Sequence, residues 1–253
     1  MHISKRSAKK ECRTSDILKV HTNNMQQVNK IKYLGDFLNS EGSVSDTLSD
    51  RINKSIGLRS QLKSIISDIS LGSYHFEVSM IMRESMYLNS ILFNADSWYY
   101  LNKKQIESLE AVDSDFLQIC FKSHSRTVRD AYYAETGKLK IRHIIAKRRL
   151  MFLHNILRRN PSQLIYKIYQ AQTLKMVRND WFQTIQNDKK TYDISLSDEE
   201  IRLLSKSKFK QLIERKINFK AFTDILNSRK VKIDGLLKCL KLNKMEKFLC
   251  KNT

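Results

Sequence analysis

A single proline, Pro161, and six glycines punctuate 253 residues. So few turn-formers exclude a turn-rich sandwich, a collagen-like helix or a Pro-rich linker, and they favour long helices. A hydrophobic fraction of 41% against 28% charged residues is that of a chain able to bury a core, in one or two domains. No run of about 18 uncharged apolar residues occurs, so no membrane span is expected. The start, "MHISKRSAKKECRTS", is polar and lacks the apolar centre of a secretory signal, although a basic targeting tail would look similar.

The pattern divides near residue 40. "DILKVHTNNMQQVNKIKYLGDFLN" reads as two strands joined near "TNN", a β-hairpin. Its second strand alternates through Val28, Ile31, Tyr33 and Leu34 to Gly35, and the chain then turns at "NSEGS". Beyond that the period is helical. A helix capped by Ser45 or Asp46 carries Leu48, Ile52, Ile56, Leu62, Ile65 and Ile66 and breaks at Gly72. "FEVSMIMRESMYLNSILFNADSWYY" is apolar on several sides. "NKKQIESLEAVDSDFLQICF" carries a stripe of Ile106, Leu109, Val112, Phe116 and Ile119. A helix stop is expected at Gly137. "IRHIIAKRRLMFLHNILRR" is amphipathic, with Ile141, Ile144, Ile145, Leu150, Leu153 and Leu157 apolar, and Pro161 closes it. "QLIYKIYQAQ" adds another helix, and two or three short basic helices follow, broken near "KKTYDISLSDEE". The expected fold is mainly α: a helical bundle preceded by a short β-hairpin, with further basic helices at the C-terminus.

The net charge is +20, and it is uneven. Residues 34–135 carry 10 basic and 14 acidic groups; residues 136–253 carry 28 and 10. A field of that size points to a polyanion, nucleic acid first and an anionic membrane surface second; the alternative is a lysine-rich genome that decorates any surface with lysine, against which the spared middle of the chain speaks. "KRRLMFLHNILRR" places Lys147, Arg148, Arg149, Arg158 and Arg159 at the two ends of an apolar helix, where arginine forks suit phosphate oxygens. The alternative is a solvated face with apolar stems. "KSKFKQLIERKINFKAF" and "SRKVKI" repeat the basic theme. Trp98, Tyr99 and Tyr100 are suited to stacking on bases or to core packing.

Catalytic chemistry is not written in the chain. No phosphate-binding glycine loop and no G-x-S-x-G occurs. Asp113 and Asp115 stand two apart on a helix and point to different faces. The acids of "SDEE", Ser197–Glu200, sit where a helix N-terminus is expected and complement its dipole. Cys12, Cys120, Cys239 and Cys250 form no C-x-x-C pair and read as reduced thiols of an intracellular protein, in nucleus or cytoplasm. His143 and His154 lack metal-ligand spacing. No catalytic residue, cofactor or metal is expected.

A resemblance joins these observations. "KIKYLGDFLNSEGSVSDTLSDRINKSIGLRSQLKSI" resembles the segment of non-LTR (LINE-type) retrotransposon reverse transcriptases that leaves the palm and enters the thumb. "MIMRESMYLNSILFNADSWYYLNKKQIESLEAVDSDFLQIC", "YYAETGKLKIRHIIAKRRLMFLHNILRRNPSQLIYKIYQAQ" and the basic tail resemble the stretches that follow in that family, in the same order over roughly residues 15–245. Lys140 stands where the family usually has proline. The resemblance implies a palm remnant with a primer-grip-like hairpin (1–40), a thumb-like helical region (41–135) and a basic helical linker (136–253). It implies that Tyr33, Leu34 and Gly35 lie near a primer terminus, with Arg51 and the cations of 147–159 toward nucleic acid. The family's catalytic aspartates would belong upstream of Met1, and its zinc knuckle and endonuclease beyond Cys250. The expected function is therefore binding of RNA or an RNA/DNA primer–template duplex without polymerase activity of its own, possible association with the missing polymerase or endonuclease regions, and no membrane partner. The alternatives are a helical protein-interaction module and a retroelement remnant without function. On this reading, replacing Arg148 and Arg149 with glutamate weakens RNA binding and leaves the fold intact.

Overall fold

Turn chemistry sets the entry to the fold. The computed structural model describes residues 28–40, 42–68, 74–124, 126–175 and 180–227, together with the backbone pair Lys19–Val20 (β1) and Asn23–Asn24 (β2). Lys30–Tyr33 (β3) pairs antiparallel with Asp36–Asn39 (β4), from Tyr33↔Asp36 to Lys30↔Asn39. Leu34 and Gly35 form the two-residue loop between them, at φ 46° and 89°. Positive φ at both positions is what a type I′ hairpin loop requires. The alternation read as one strand running to Gly35 is thus a strand, a turn and a second strand. A Cβ at Gly35 would stand 3.3 Å from Arg51 Nη2 and 3.6 Å from Phe93 Cε1, so the corner is closed against its neighbours as well as turned.

The hairpin rests on the first helix, Ser45–Asp68 (α1). Thr47 Oγ1 accepts the outward Phe37 N–H of β4 at 2.8 Å, and Lys30 and Lys32 pair with Asp46 and Asp50. The predicted break at Gly72 and the C-terminal "SRKVKI" lie outside the described residues, as do Cys12, Cys239 and Cys250. His75–Met82 (α2) runs through a π-turn, Arg83–Tyr87, into Leu88–Ile91 (α3). Asn102 and Gln105 form a capping box that starts Lys103–Cys120 (α4), with Leu109, Val112 and Phe116 buried as the periodicity requires. Arg129–Thr136 (α5) stops at Gly137 in the left-handed conformation, φ 64°. Ile141–Leu157 (α6), Leu164–Lys175 (α7), Trp181–Thr191 (α8), Asp198–Leu203 (α9) and Lys206–Leu226 (α10) complete the bundle. The mainly α expectation holds. The basic helices after α7 are not all short, since α10 spans 21 residues.

Two apolar cores hold these helices. The first gathers α1 to α5 around Tyr87, Leu109, Phe116 and Leu117 and reaches Ile141 and Ile145 of α6 and Ile225 at the end of α10. The second gathers α7 to α10 around Leu150, Leu153, Ile185, Phe209 and Ile213 and begins at Ala146. Along the chain the change of core falls inside α6, between Ile145 and Ala146. This revises the amphipathic reading of α6: of its 17 residues only Arg142 and Asn155 are exposed.

Polar groups are buried with partners. Arg83, 1% exposed, grips Asp113, 0% exposed, through Nε–Oδ1 and Nη2–Oδ2 at 2.8 and 2.6 Å, and Tyr133 donates to the same carboxylate at 2.8 Å. Burial opposes the Arg83 charge, but the attraction of Asp113 outweighs it and holds the guanidinium above its ordinary pKa. Removing one partner of such a pair strands a buried charge. Arg83→Ala or Asp113→Ala is expected to cost about 3–5 kcal/mol, and the apolar double variant Arg83→Met/Asp113→Leu less than the sum of the two. Urea unfolding followed by circular dichroism measures both.

His143 of α6 is 2% exposed, with Nδ1 3.0 Å from the Tyr192 hydroxyl, and burial pulls its pKa down from 6.5 to about 4. Between those values the unfolded chain binds the proton and the folded one does not. Stability is therefore full above pH 6.5 and falls as the pH drops toward 4, by up to about 3 kcal/mol. A His143→Gln variant is expected to flatten that part of the stability–pH curve.

Candidate nucleic-acid interface

From Thr136 to Asn179 the sequence contains no aspartate or glutamate, but it contains 11 lysines and arginines. Their partners, if any, must come from elsewhere in the fold, and the structure divides them in two.

The cations of the first part are engaged. Lys138 pairs with Glu84, and Lys140 with Asp130 at 2.8 Å. Arg142 holds Glu110 by a two-pronged contact at 2.6 and 2.7 Å. Lys147 reaches Glu214 at 2.6 Å. Arg148 donates to the Leu92 carbonyl and, at 3.0 Å, to Asn89 Oδ1, and burial lowers its pKa from the ordinary value. Arg149 is buried, gripping Asp188 with Nε–Oδ2 at 2.7 Å and Nη2–Oδ1 at 3.0 Å. Burial pushes the Asp188 carboxyl up, against the pull of Arg149. These six groups tie α6 and its approach to the π-turn, α3, α4, α5, α8 and α10, so Lys147, Arg148 and Arg149 are bound within the fold.

The second part differs. Arg158, Arg159 and Lys167 are exposed, and none has an acidic partner within 4.0 Å among the described residues. Arg158 caps α6 one turn beyond His154, whose Nε2 lies 3.0 Å from the Leu204 carbonyl and whose ring stacks on Phe209 with centroids 4.9 Å apart. That contact brings the C-terminal end of α6 against the α9–α10 junction. There Arg202, Lys206 and Lys208 are likewise exposed and without an acidic partner among the described residues. Ser205 caps α10 by accepting the Lys208 N–H at 3.3 Å. The acids Asp198, Glu199 and Glu200 stand at the opposite end of α9. Glu200 and Ser197 form a capping box there, as "SDEE" suggested, and Asp198 accepts from Tyr169 and pairs with Lys189 at 3.6 Å. Arg158 and Arg159 at the end of α6 and Arg202, Lys206 and Lys208 around the α9–α10 junction thus lie on either side of the His154–Leu204 contact in sequence. Arg202, Lys206 and Lys208 were not singled out from sequence, because their company is set by the His154–Leu204 contact.

The hairpin residues form a separate group. Tyr33 and Leu34 are exposed at the tip, 62% and 73%. Arg51 is buried behind them, donating to the Gly35 carbonyl at 3.0 Å and to Asp36 at 3.1 Å, with its guanidinium over the Phe93 ring. The lysines of β3 are matched by Asp46 and Asp50. Near the tip the surface is apolar and close to neutral: the cross-strand partners Ile31 and Leu38 are exposed, as is Val28 at the open end of the hairpin. Trp98 is core, while Tyr100 is exposed. Among the described residues no group of three or more histidines, cysteines or acids could hold a metal ion, and no helix is long and apolar enough to cross a membrane.

No family model matches the chain, and comparison with curated proteins and with solved structures found no significant match.

An Arg149→Glu variant sets two carboxylates against each other in a buried site and is expected to destabilise the chain by at least about 3 kcal/mol. The exposed pair Arg158→Glu/Arg159→Glu is expected to change stability by no more than about 0.5 kcal/mol. Thermal melts of the two variants make the comparison. The buried Arg149–Asp188 contact speaks against the expectation that Arg149 can be reversed without harm to the fold.

Proposed function

We propose that this chain binds the sugar–phosphate backbone of nucleic acid through the cations at the α6 end and the α9–α10 junction. The observation that carries this reading is the exposure of Arg158, Arg159, Arg202, Lys206 and Lys208 without acidic partners among the described residues, in a chain whose acids otherwise neutralise most of the α6 cations. Cations without protein partners bind phosphates by releasing condensed counterions, and they read no bases. The sequence resemblance to the thumb and linker of LINE-type reverse transcriptases supports the same reading and suggests an RNA or RNA/DNA duplex as partner. The chain contributes grip and no polymerase chemistry.

Fluorescence anisotropy with a labelled RNA/DNA hybrid tests this. Five phosphate contacts give log K against log salt a slope of about −4. Reversing Arg158, Arg159 and Lys206 to glutamate is expected to shallow the slope by roughly 1 per lost contact and to weaken binding at least about tenfold. A slope near zero for the unaltered chain overturns the reading.

A second reading, association with another protein, is favoured by the exposed apolar face of the β3–β4 hairpin. It predicts an oligomer or a protein complex whose size is unchanged by RNA, and size-exclusion chromatography with and without RNA separates the two.

A further inference from the structure

The solvent side of α10 has a composition that its core side does not require. Phe209, Ile213, Ile217, Ala221 and Ile225 recur every four residues and are buried in the cores. At about 100° per residue, Lys208, Arg215 and Phe219 fall within an arc of about 40° on the opposite side. All three are exposed, and Phe219 is 67% exposed. Gln211 lies beside them. The acids of α10 are on its flanks and engaged: Glu214 with Lys147 and Lys210, Asp224 with Lys220 at 3.0 Å. The stripe itself is free of acid, and it continues from the α9–α10 junction for about 16 Å along the helix. Among the described residues no other aromatic ring packs on Phe219.

We infer that this stripe is a track for single-stranded nucleic acid, its phosphates against Lys208 and Arg215 and an unpaired base stacked on Phe219. The inference rests on the nucleic-acid reading above and adds to it which form of the polymer is held and where. The charge of the stripe selects an anion. The phenyl ring then distinguishes among anions. Bases inside a duplex are already stacked and paired and offer no free face, whereas an unpaired base does, and such stacking tolerates any sequence. A second copy of this chain would bring like charges together.

The test compares a labelled, non-self-complementary RNA dodecamer with a blunt-ended duplex of the same length. Phe219→Ala is expected to weaken the single strand roughly 5- to 150-fold and to leave the duplex within about twofold. Phe219→Trp is expected to keep single-strand affinity and to show a fluorescence quench on RNA addition that the unaltered chain lacks. Lys208→Glu/Arg215→Glu is expected to weaken both. Because Phe219 is exposed, its substitution does not threaten the fold, and circular dichroism checks this. Unchanged single-strand affinity in Phe219→Ala, with the unaltered chain still binding, overturns the stacking track and leaves the backbone-binding reading standing. An unaltered chain that binds neither RNA form at low salt overturns both. Displacement of the RNA by polyglutamate at equal charge, with the same effect in Phe219→Ala, assigns the stripe to an acidic peptide instead.

Discussion

A helix buried on nearly every side can carry arginine and lysine only where carboxylates or carbonyls reach it. Everything distinctive here follows from that constraint on α6. It lies between two apolar cores, and the cations along its first three turns are met by Glu110, Glu214, Asp188 and the Leu92 carbonyl, drawn from four other elements. Each of these contacts fixes one neighbour's position on α6. The bidentate ones, Arg142–Glu110 and Arg149–Asp188, fix orientation as well, because two parallel hydrogen bonds admit little rotation. The acids are few in this half of the chain, and their placement decides which cations belong to the architecture and which are left to face solvent.

That division explains how the sequence was and was not legible. Helix positions were readable because signals agreed: the Ser197 start, the Gly137 stop and the three- and four-residue spacing of Leu109, Val112 and Phe116 all act within a few residues. The hairpin was half-readable. Alternation identified β3, but a leucine at positive φ is an unusual first loop residue, so Leu34–Gly35 passed as the end of a strand. The candidate site was the least legible part. Lys147 to Arg149 and Arg158 to Arg159 look alike in sequence, yet the first set is met by acids 39 and 67 residues away and by the Leu92 carbonyl, and the second faces no acid among the described residues. Long-range pairing of charge leaves no local signature. The acid-free stretch from Thr136 to Asn179 was visible, and it marks where unmatched cations must accumulate without saying which ones they are.

Two of the open surfaces differ in kind. At the hairpin the charges cancel and the exposed groups are Val28, Ile31, Tyr33, Leu34 and Leu38, with Arg51 withdrawn behind them. At the α6 end and along α10 the apolar groups are turned inward, apart from Phe219 and a few leucines, and the cations are outward. Low dielectric and cancelling charge suit contact with another apolar surface, while unmatched cations suit a polyanion.

The shared helix has a consequence for ancestry. Because Ile145 belongs to one core and Ala146 to the next, neither half is a module that recombination could shuffle into another protein intact. A breakpoint on either side of α6 leaves one partner with a hydrophobic trough and the other with an orphaned rod. Inheritance of this chain is therefore expected to be all or none across that joint, with variation accumulating in the hairpin and in the outward cations instead.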